Sequence, residues 1–365
     1  MKRFAEIFSE LPDPRAENAL HDLRELLFIA LLATLCGGTS CTDMALFARM
    51  KFYLLEPILE LKHGLPSHDT FSRVFRMLDP AAFERCFRAF MKEFGAAAKI
   101  DPPRGVVAVD GKALRRGYER GKSHMPPVMV TAWAAQTRMA LASALAPENN
   151  EAAAAMQLIE LLQLKGCVVT ADALHCHRTM AKAIVERGGD YVLTVKANQP
   201  ALMADAETAV AALKQKSEKS AKSAETAHGR REKRAALVAT VKGMAEKHDF
   251  PGLAAVARIV STRGTEKPIT RYFLMSRPFS APEVLRIVRQ HWDIENGLHW
   301  TLDVVLDEDL ARNRKDHGPA NLAVLRRLAL NVARAHPDTT TSLRLKLKRA
   351  GWNDNFLLEL VRHMR

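Results

Sequence analysis

Two apolar runs end in aspartate, VVAVD at residues 106–110 and CVVTAD at residues 167–172, and a third segment, HWDIENGLHWTLD, carries Glu295. Asp110, Asp172 and Glu295 would together give a set of hard oxygen donors. Such donors suit Mg²⁺ or Mn²⁺, and a pair of these ions ~3.5–4 Å apart serves phosphodiester chemistry by activating a nucleophile and stabilising the leaving oxygen. Ligands gather at the carboxyl ends of strands in an open α/β sheet, so two strands closing in Asp bring two carboxylates to one edge. Taken singly, each Asp also fits a turn-forming strand terminator, and Glu295 fits a helix-surface acid paired with a cation.

The elements needed to position these acids can be read from hydrophobic spacing. Short strands are predicted at VVAVD (106–110), VMVTAWAA (128–135) and MALASALA (139–146), followed by a helix over 151–164. Next come CVVTAD, a helix over 178–187, the strand YVLTVK (191–196) and a helix from near Gln199. Three strands, helix, strand, helix, strand, helix is the succession of a ribonuclease H-like α/β fold. A charged, low-complexity bridge, KQKSEKSAKSA (213–223), then interrupts the order. Three more strands are predicted after it, in RREKRAALVATV, LAAVARIVST and PITRYFLMS, before a helix starts near Ala281. The gap from Asp172 to Glu295 is about twice that from Asp110 to Asp172, so this β-rich insertion lies between the second and third acids. On the final helix Trp292, Glu295, His299 and Asp303 share a face, with Trp292 expected to pack beneath the Glu. Beyond it NLAVLRRLALNVARAH and SLRLKLKRAGW read as a basic helical tail.

Residues 1–96 are predicted to be all-helical, with the apolar run LLFIALLATLC as a core helix too short for the ~20 residues of a membrane span. In GLPSHDTFSRVF, Ser67 is placed as the N-cap of a helix exposing His68, Arg73 and Arg76, a solvated face or a DNA-reading one. The chain has 54 Lys and Arg against 41 Asp and Glu, a formal charge of +13, which favours a polyanionic partner through counterion release. Five cysteines without a CxxC pair indicate neither disulfides nor a cysteine zinc site. An acidic start without a cationic segment leading into an apolar one predicts a cytoplasmic protein.

The ordered blocks DGKALRRG, VVTADALHCH, GGDYVLTVKANQ, HGRREKR and HWDIENGLHWTLDVVLDEDLARNR resemble the H-repeat-associated, DDE-type insertion-sequence transposases. The amino-terminal LPDPR, LLFIALLATLCGGTS and GLPSHDTFSRVF resemble the helical domain associated with that family. The resemblance implies a helical DNA-binding domain over 1–96 and a ribonuclease H-like catalytic domain over 97–335 with its insertion at about 213–280. A basic helical tail occupies 336–365. It implies Asp110, Asp172 and Glu295 as catalytic metal ligands for Mg²⁺ or Mn²⁺, with two ions. It also implies DNA as partner, both the terminal inverted repeats and the target, and a homo-oligomer in the synaptic complex. The implied reaction is cleavage at element ends and strand transfer; the alternatives are a nuclease of the same fold without strand transfer and a transposase-derived DNA-binding protein.

In this frame Lys112, Arg115 and Arg116 are expected to meet phosphates, or else only to offset the carboxylates beside them, while Gly111 allows a close approach. Lys196, Asn198 and Gln199 are placed along the DNA path or in a solvated loop, and Arg289 and His299 are candidate DNA contacts beside Glu295. The offsets at which related transposases often carry Tyr, Arg and Lys hold Trp292, His291 and Leu302 here. Zinc is the weaker expectation for His175, Cys176 and His177, whose directions alternate, and for His291, Glu295 and His299, which lack HExxH. Arg344, Lys346, Lys348 and Arg349 read as a solvated face of the tail.

Overall fold

The computed structural model describes residues 2–97, 105–118, 125–213, 220–227 and 230–362. Six helices open the chain: α1 (Lys2–Phe8), α2 (Leu23–Leu35), α3 (Cys41–Met50), α4 (Phe52–Leu55), α5 (His68–Met77) and α6 (Pro80–Ala97). Then follow β1 (Gly105–Ala113), β2 (Val128–Ala134), β3 (Met139–Leu145), α7 (Glu151–Leu161), β4 (Cys167–Ala171), α8 (Arg178–Glu186), β5 (Asp190–Val195) and α9 (Pro200–Ala211). Four further strands are β6 (Ser220–Ala227), β7 (Arg230–Thr240), β8 (Ala255–Arg263) and β9 (Ile269–Met275), with the short α10 (Met244–His248) between β7 and β8. The chain closes with α11 (Ala281–His291), a π-helical turn (Ile294–His299), α12 (Trp300–Val304), α13 (Gly318–Arg334), α14 (Leu343–Trp352) and α15 (Asp354–Leu360). No described helix is long and apolar enough to cross a membrane.

All nine strands join one sheet in the order β3-β2-β1-β4-β5-β9-β8-β7-β6. β1, β4 and β5 are parallel neighbours, and every other pairing is antiparallel. Side chains alternate between faces at period two, so Val106 and Ala108 join a core with the amino-terminal helices, α11 and α13, whereas Val107 and Val109 join a second core with α7, α8 and α9. Asp110 therefore shares a face with Val106 and Ala108, the face that α11 covers. The result is a mixed α/β molecule with helices on both faces of a large sheet.

Several expectations change against this frame. Asp110 does not end its strand: β1 runs on to Ala113 because β2 keeps pairing with it, Asp110 opposite Thr131. Part of the charged bridge 213–223 is not a loop, since residues 220–223 belong to β6, which pairs with β7 at the sheet edge; residues 214–219 of the bridge lie outside the described residues. Residues 228–229 of the HGRREKR block, residues 98–104 at the first domain boundary and residues 363–365 of the tail also lie outside them. The segment NLAVLRRLALNVAR, expected as part of a basic helical tail, is α13, buried along nearly its whole length against α2, α5, α6 and β3.

The polar groups of α13 explain how a helix with two Asn and two of its three Arg in the interior can be buried, since each of these side chains makes hydrogen bonds. Asn331 takes the place of a neighbouring strand at the edge of β3, accepting from Ala140 N–H at 3.0 Å and donating to its carbonyl at 2.7 Å. Asn321 donates to the carbonyls of Phe75 and Leu78 at the end of α5. Arg326 donates to the carbonyls of Leu306 and Thr39. The amino-terminal helices and the sheet thus share one apolar core through α13. In α14, Lys346 is buried rather than solvated and donates to the carbonyls of Ala333 and His336.

Candidate metal centre

The parallel register of β1 and β4 ends at Val109 opposite Ala171, so Asp110 and Asp172 stand side by side as the next residue on each strand. Both point to the face that α11 covers, and the π-helical turn after α11 carries Glu295 across it. Asp110, Glu295 and His299 come together, their ligand atoms all within 4.8 Å of one another. His299 Nδ1 lies 3.3 Å from Glu295 Oε2 and 3.9 Å from Asp110 Oδ2. Asp172 does not join that group; its half-exposed carboxylate is paired with Lys196 at 3.6 Å.

The electrostatics of the group are those of a site short of positive charge. Burial pushes the Asp110 carboxyl up to about 7; His299 opposes this, and the nearby Glu295 and Asp172 carboxylates reinforce it. Glu295, more exposed, is held below the usual carboxylate range, first by its hydrogen bond with His299. Of the two carboxyls, Asp110 is the one that keeps a proton near neutrality. His299 Nε2 is buried with no hydrogen-bond partner. These observations fit a divalent cation held by Asp110, Glu295 and His299, because an ion would discharge the repulsion and give the imidazole a role. Carboxylate oxygens suit Mg²⁺ and Mn²⁺, and the imidazole tilts the set towards Mn²⁺.

Glu295 owes its place to contacts that sequence spacing does not reveal. Trp133 of β2 is fully buried and donates its indole N–H to Asp293 Oδ2 at 3.2 Å, while the Arg334 guanidinium stacks 4.9 Å above its ring. Arg334 also donates to the Gly297 carbonyl at 2.6 Å, gripping the turn that carries Glu295. Gly297 is closely enclosed: a Cβ would meet Asp293 Oδ2 at 3.0 Å and both Arg138 Nη2 and Trp133 Cζ2 at 3.1 Å, so its neighbours would have to give way. At the end of α11, His291 Nδ1 lies 3.0 Å from the Thr170 hydroxyl of β4. Trp292 does not pack beneath Glu295 as expected; it is exposed, with Arg271 of β9 stacked 5.6 Å from its ring. Nothing in the sequence marks Trp133 or Arg334 as supports of the turn, and Gly297 is the single local cue.

The cations beside Asp110 divide. Lys112 is buried, its ammonium held by Asp303 at 2.7 Å, Asp309 at 2.9 Å and Glu308 at 3.6 Å, so it cannot meet a phosphate; it offsets acids, but not the acids of the metal group. Arg115 is exposed and also reaches Asp309, at 3.2 Å. Arg116 is exposed, and its carbonyl accepts from Arg314 at 3.2 Å. Gly111 does allow a close approach, by Glu151 of α7 from the opposite face. Lys196 is exposed beside Asp172, and Asn198 donates to the Ala173 carbonyl at 3.1 Å, so both brace the loop after β4. Arg289 is exposed on α11. His299, expected among DNA contacts, is buried within the acid group instead. Ser67 caps α5 as predicted, accepting from Thr70 N–H, and His68, Arg73 and Arg76 are exposed; Arg76 pairs with Asp316 at 2.7 Å. His175 is buried, and burial lowers its pKa to about 4.

The family model described as Transposase DDE domain matches residues 101–332, more than half of the chain, and the one described as DDE_Tnp_1-associated matches residues 5–91. An uncharacterized protein in the dhlA 3′ region of Xanthobacter autotrophicus is 36% identical over 262 residues, covering 70% of this chain and 87% of that protein. The H repeat-associated putative transposase YhhI of Escherichia coli K12 is 28% identical over 374 residues, 99% of this chain and 98% of its own. A solved piggyBac transposase synaptic complex with hairpin DNA superposes with a TM-score of 0.44 at 13% identity, over 100% of this chain and 79% of that one.

Proposed function

Because the chain belongs to the transposase DDE domain family, we propose that it is the DNA transposase of an insertion sequence, cleaving phosphodiester bonds at element ends and joining the freed 3′ hydroxyl to target DNA. The observation that carries this reading is the register of β1 and β4, which leaves Asp110 and Asp172 adjacent under the turn bearing Glu295. Asp110, Asp172 and Glu295 are the proposed catalytic acids, with His299 as an added ligand. Divalent ions bound there, Mg²⁺ or Mn²⁺ and two in number, would supply Lewis-acid stabilisation of the reacting phosphodiester. Asp172, the residue that follows β4, is proposed to turn from Lys196 towards Asp110 when the ions bind. Lys196 is then free to meet a phosphate.

The proposed core is ribonuclease H-like, β1 to β5 with their helices, and β6 to β9 form an insertion between the second and third acids that helps hold DNA. The proposed division is a helical DNA-binding part over 1–96, a catalytic part over 97–335 and a tail over 336–365. Arg115, Arg116, Arg289, Asn198, Arg73 and Arg76 are proposed DNA contacts, supported by their place on exposed surface or at the edge of the site. Two ends held together call for at least a dimer, acting in the cytoplasm on nucleoid DNA. The test is incubation of the purified chain with DNA carrying the element ends and Mg²⁺. Nicks leaving 3′ hydroxyls, absent in chelator and in Asp172→Asn, are expected; equal cleavage by Asp172→Asn would remove the reading.

A further inference from the structure

β1 carries two residues of one face towards the segment that follows α11: Asp110, which meets His299, and Lys112, which meets Asp303. Two residues along a strand advance ~6.6 Å, and four along an α-helix advance ~6 Å. His299 and Asp303 are four apart and run in the same direction as Asp110 and Lys112. The two contacts are therefore successive rungs of one ladder between strand and helix. The second rung is the more tightly held, Lys112 to Asp303 at 2.7 Å against His299 to Asp110 at 3.9 Å. Burial alone would lower the pKa of Lys112, but Glu308, Asp303 and Asp309 overcome it and hold the ammonium charged. Burial and the adjacent Asp309 raise Asp303 against the pull of Lys112, as three carboxylates around one ammonium must repel one another. Arg327 relieves that crowding from α13, donating to Glu308 Oε1 at 3.0 Å and to the hydroxyl of Thr131 at 3.0 Å. Thr131 is the residue paired with Asp110 across β1 and β2, so the brace returns to the strand position from which the metal group starts.

We propose that Lys112 is a positioning residue for the candidate metal centre: by holding Asp303 it fixes the turn and α12 against β1 and so sets Glu295 and His299 at ligand distance from Asp110. This rests on the reading that Asp110, Glu295 and His299 hold a divalent ion. Two opposed effects separate positioning from charge alone. Removing a cation one rung from the site should tighten binding of another cation, whereas loosening the ladder should weaken it.

The experiment is a Mn²⁺ titration of the full chain, read by electron paramagnetic resonance, for the unaltered protein, Lys112→Met, Lys112→Arg, Asp110→Asn and the double variant Lys112→Met with Asp303→Leu. The double variant replaces a buried ion pair by apolar groups of similar size and keeps the remaining charges balanced, so it should fold even where the single change does not. We expect Mn²⁺ binding to weaken ~10-fold or more in Lys112→Met and in the double variant, as for losses of groups that orient metal ligands, with most of the affinity kept in Lys112→Arg. Unchanged or tighter binding in the double variant overturns the proposal while leaving the metal centre intact. Equal binding by the unaltered protein and Asp110→Asn overturns the metal reading itself, and the proposal with it.

Discussion

Two clusters of acids lie one rung apart in this molecule and behave oppositely. Asp303, Glu308 and Asp309 are matched by Lys112, Arg115 and Arg327, cation for acid, and the buried Arg327 and Glu308 face each other at 3.0 Å. Among the described residues, Asp110 and Glu295 have the imidazoles of His299 and His291 and, beyond Asp172, the more distant Lys196. Residue type alone does not distinguish a brace from a metal centre. What distinguishes them is whether the chain itself supplies the compensating charge.

The sharpest way to break this comparison is to cut one acid from each cluster. Asp110→Ala, Asp172→Ala and Glu295→Ala should each lower DNA cleavage by ~10³-fold or more while leaving the unfolding midpoint near or above that of the unaltered chain, since these acids act as a unit. Arg327→Met should instead destabilise the protein by about 3–5 kcal/mol in denaturant unfolding, because it strands Glu308 in the interior. Near-normal cleavage by Glu295→Ala would move the third acid elsewhere, with Asp303, Asp307, Glu308 and Asp309 close behind it in the chain.

A pH series sharpens the same contrast. A carboxyl whose pKa is higher folded than unfolded stabilises the fold below about pH 4 and loses that contribution as pH rises towards its folded value. For Asp110, pushed up to about 7, the metal-free protein should lose stability between pH 4 and 7 and regain it on adding Mn²⁺. Asp110→Asn should flatten this slope and, at pH 7 without metal, stabilise by on the order of 1–3 kcal/mol. Lys112, raised, keeps its contribution through neutral pH and loses it only above the ordinary lysine range. Thermal unfolding in chelator across pH 4–8 measures the Asp110 slope, and its extension above the ordinary lysine range measures that of Lys112.

The smallest expected effect concerns the surface. Neutralising Arg115 and Arg116 should flatten the salt dependence of DNA binding, the slope of log affinity against log salt falling by up to ~0.9 for each phosphate that an arginine no longer neutralises. Lys112→Met should leave that slope unchanged, because its ammonium is enclosed by acids. A slope equally reduced in Lys112→Met would place that lysine on DNA after all.

The sequence disclosed the parts of the site that depend on local pattern. Apolar runs ending in Asp gave β1 and β4, and their parallel pairing puts Asp110 and Asp172 abreast. The partners of Lys112 lie almost two hundred positions away, where no spacing rule reaches, so its cluster was open to a phosphate-binding reading. The partners of Arg326 and Arg327 are hidden from local spacing for the same reason: their acceptors, Thr39, Leu306, Glu308 and Thr131, come from other elements. β6 escaped notice because SAKSAETA has little apolar content and gains its pairing as an edge strand from β7 alone. The π-helical turn shifted Trp292 off the face that regular helical spacing assigned to it.

The central claim is that the uncompensated cluster, and not the braced one, takes the ion. A crystal structure of the chain soaked in Mn²⁺, read by anomalous scattering, tests it most directly. The account predicts a peak among Asp110, Glu295 and His299, with Asp172 turned from Lys196 towards it. A peak among Asp303, Glu308 and Asp309, or none within reach of Asp110, would contradict it.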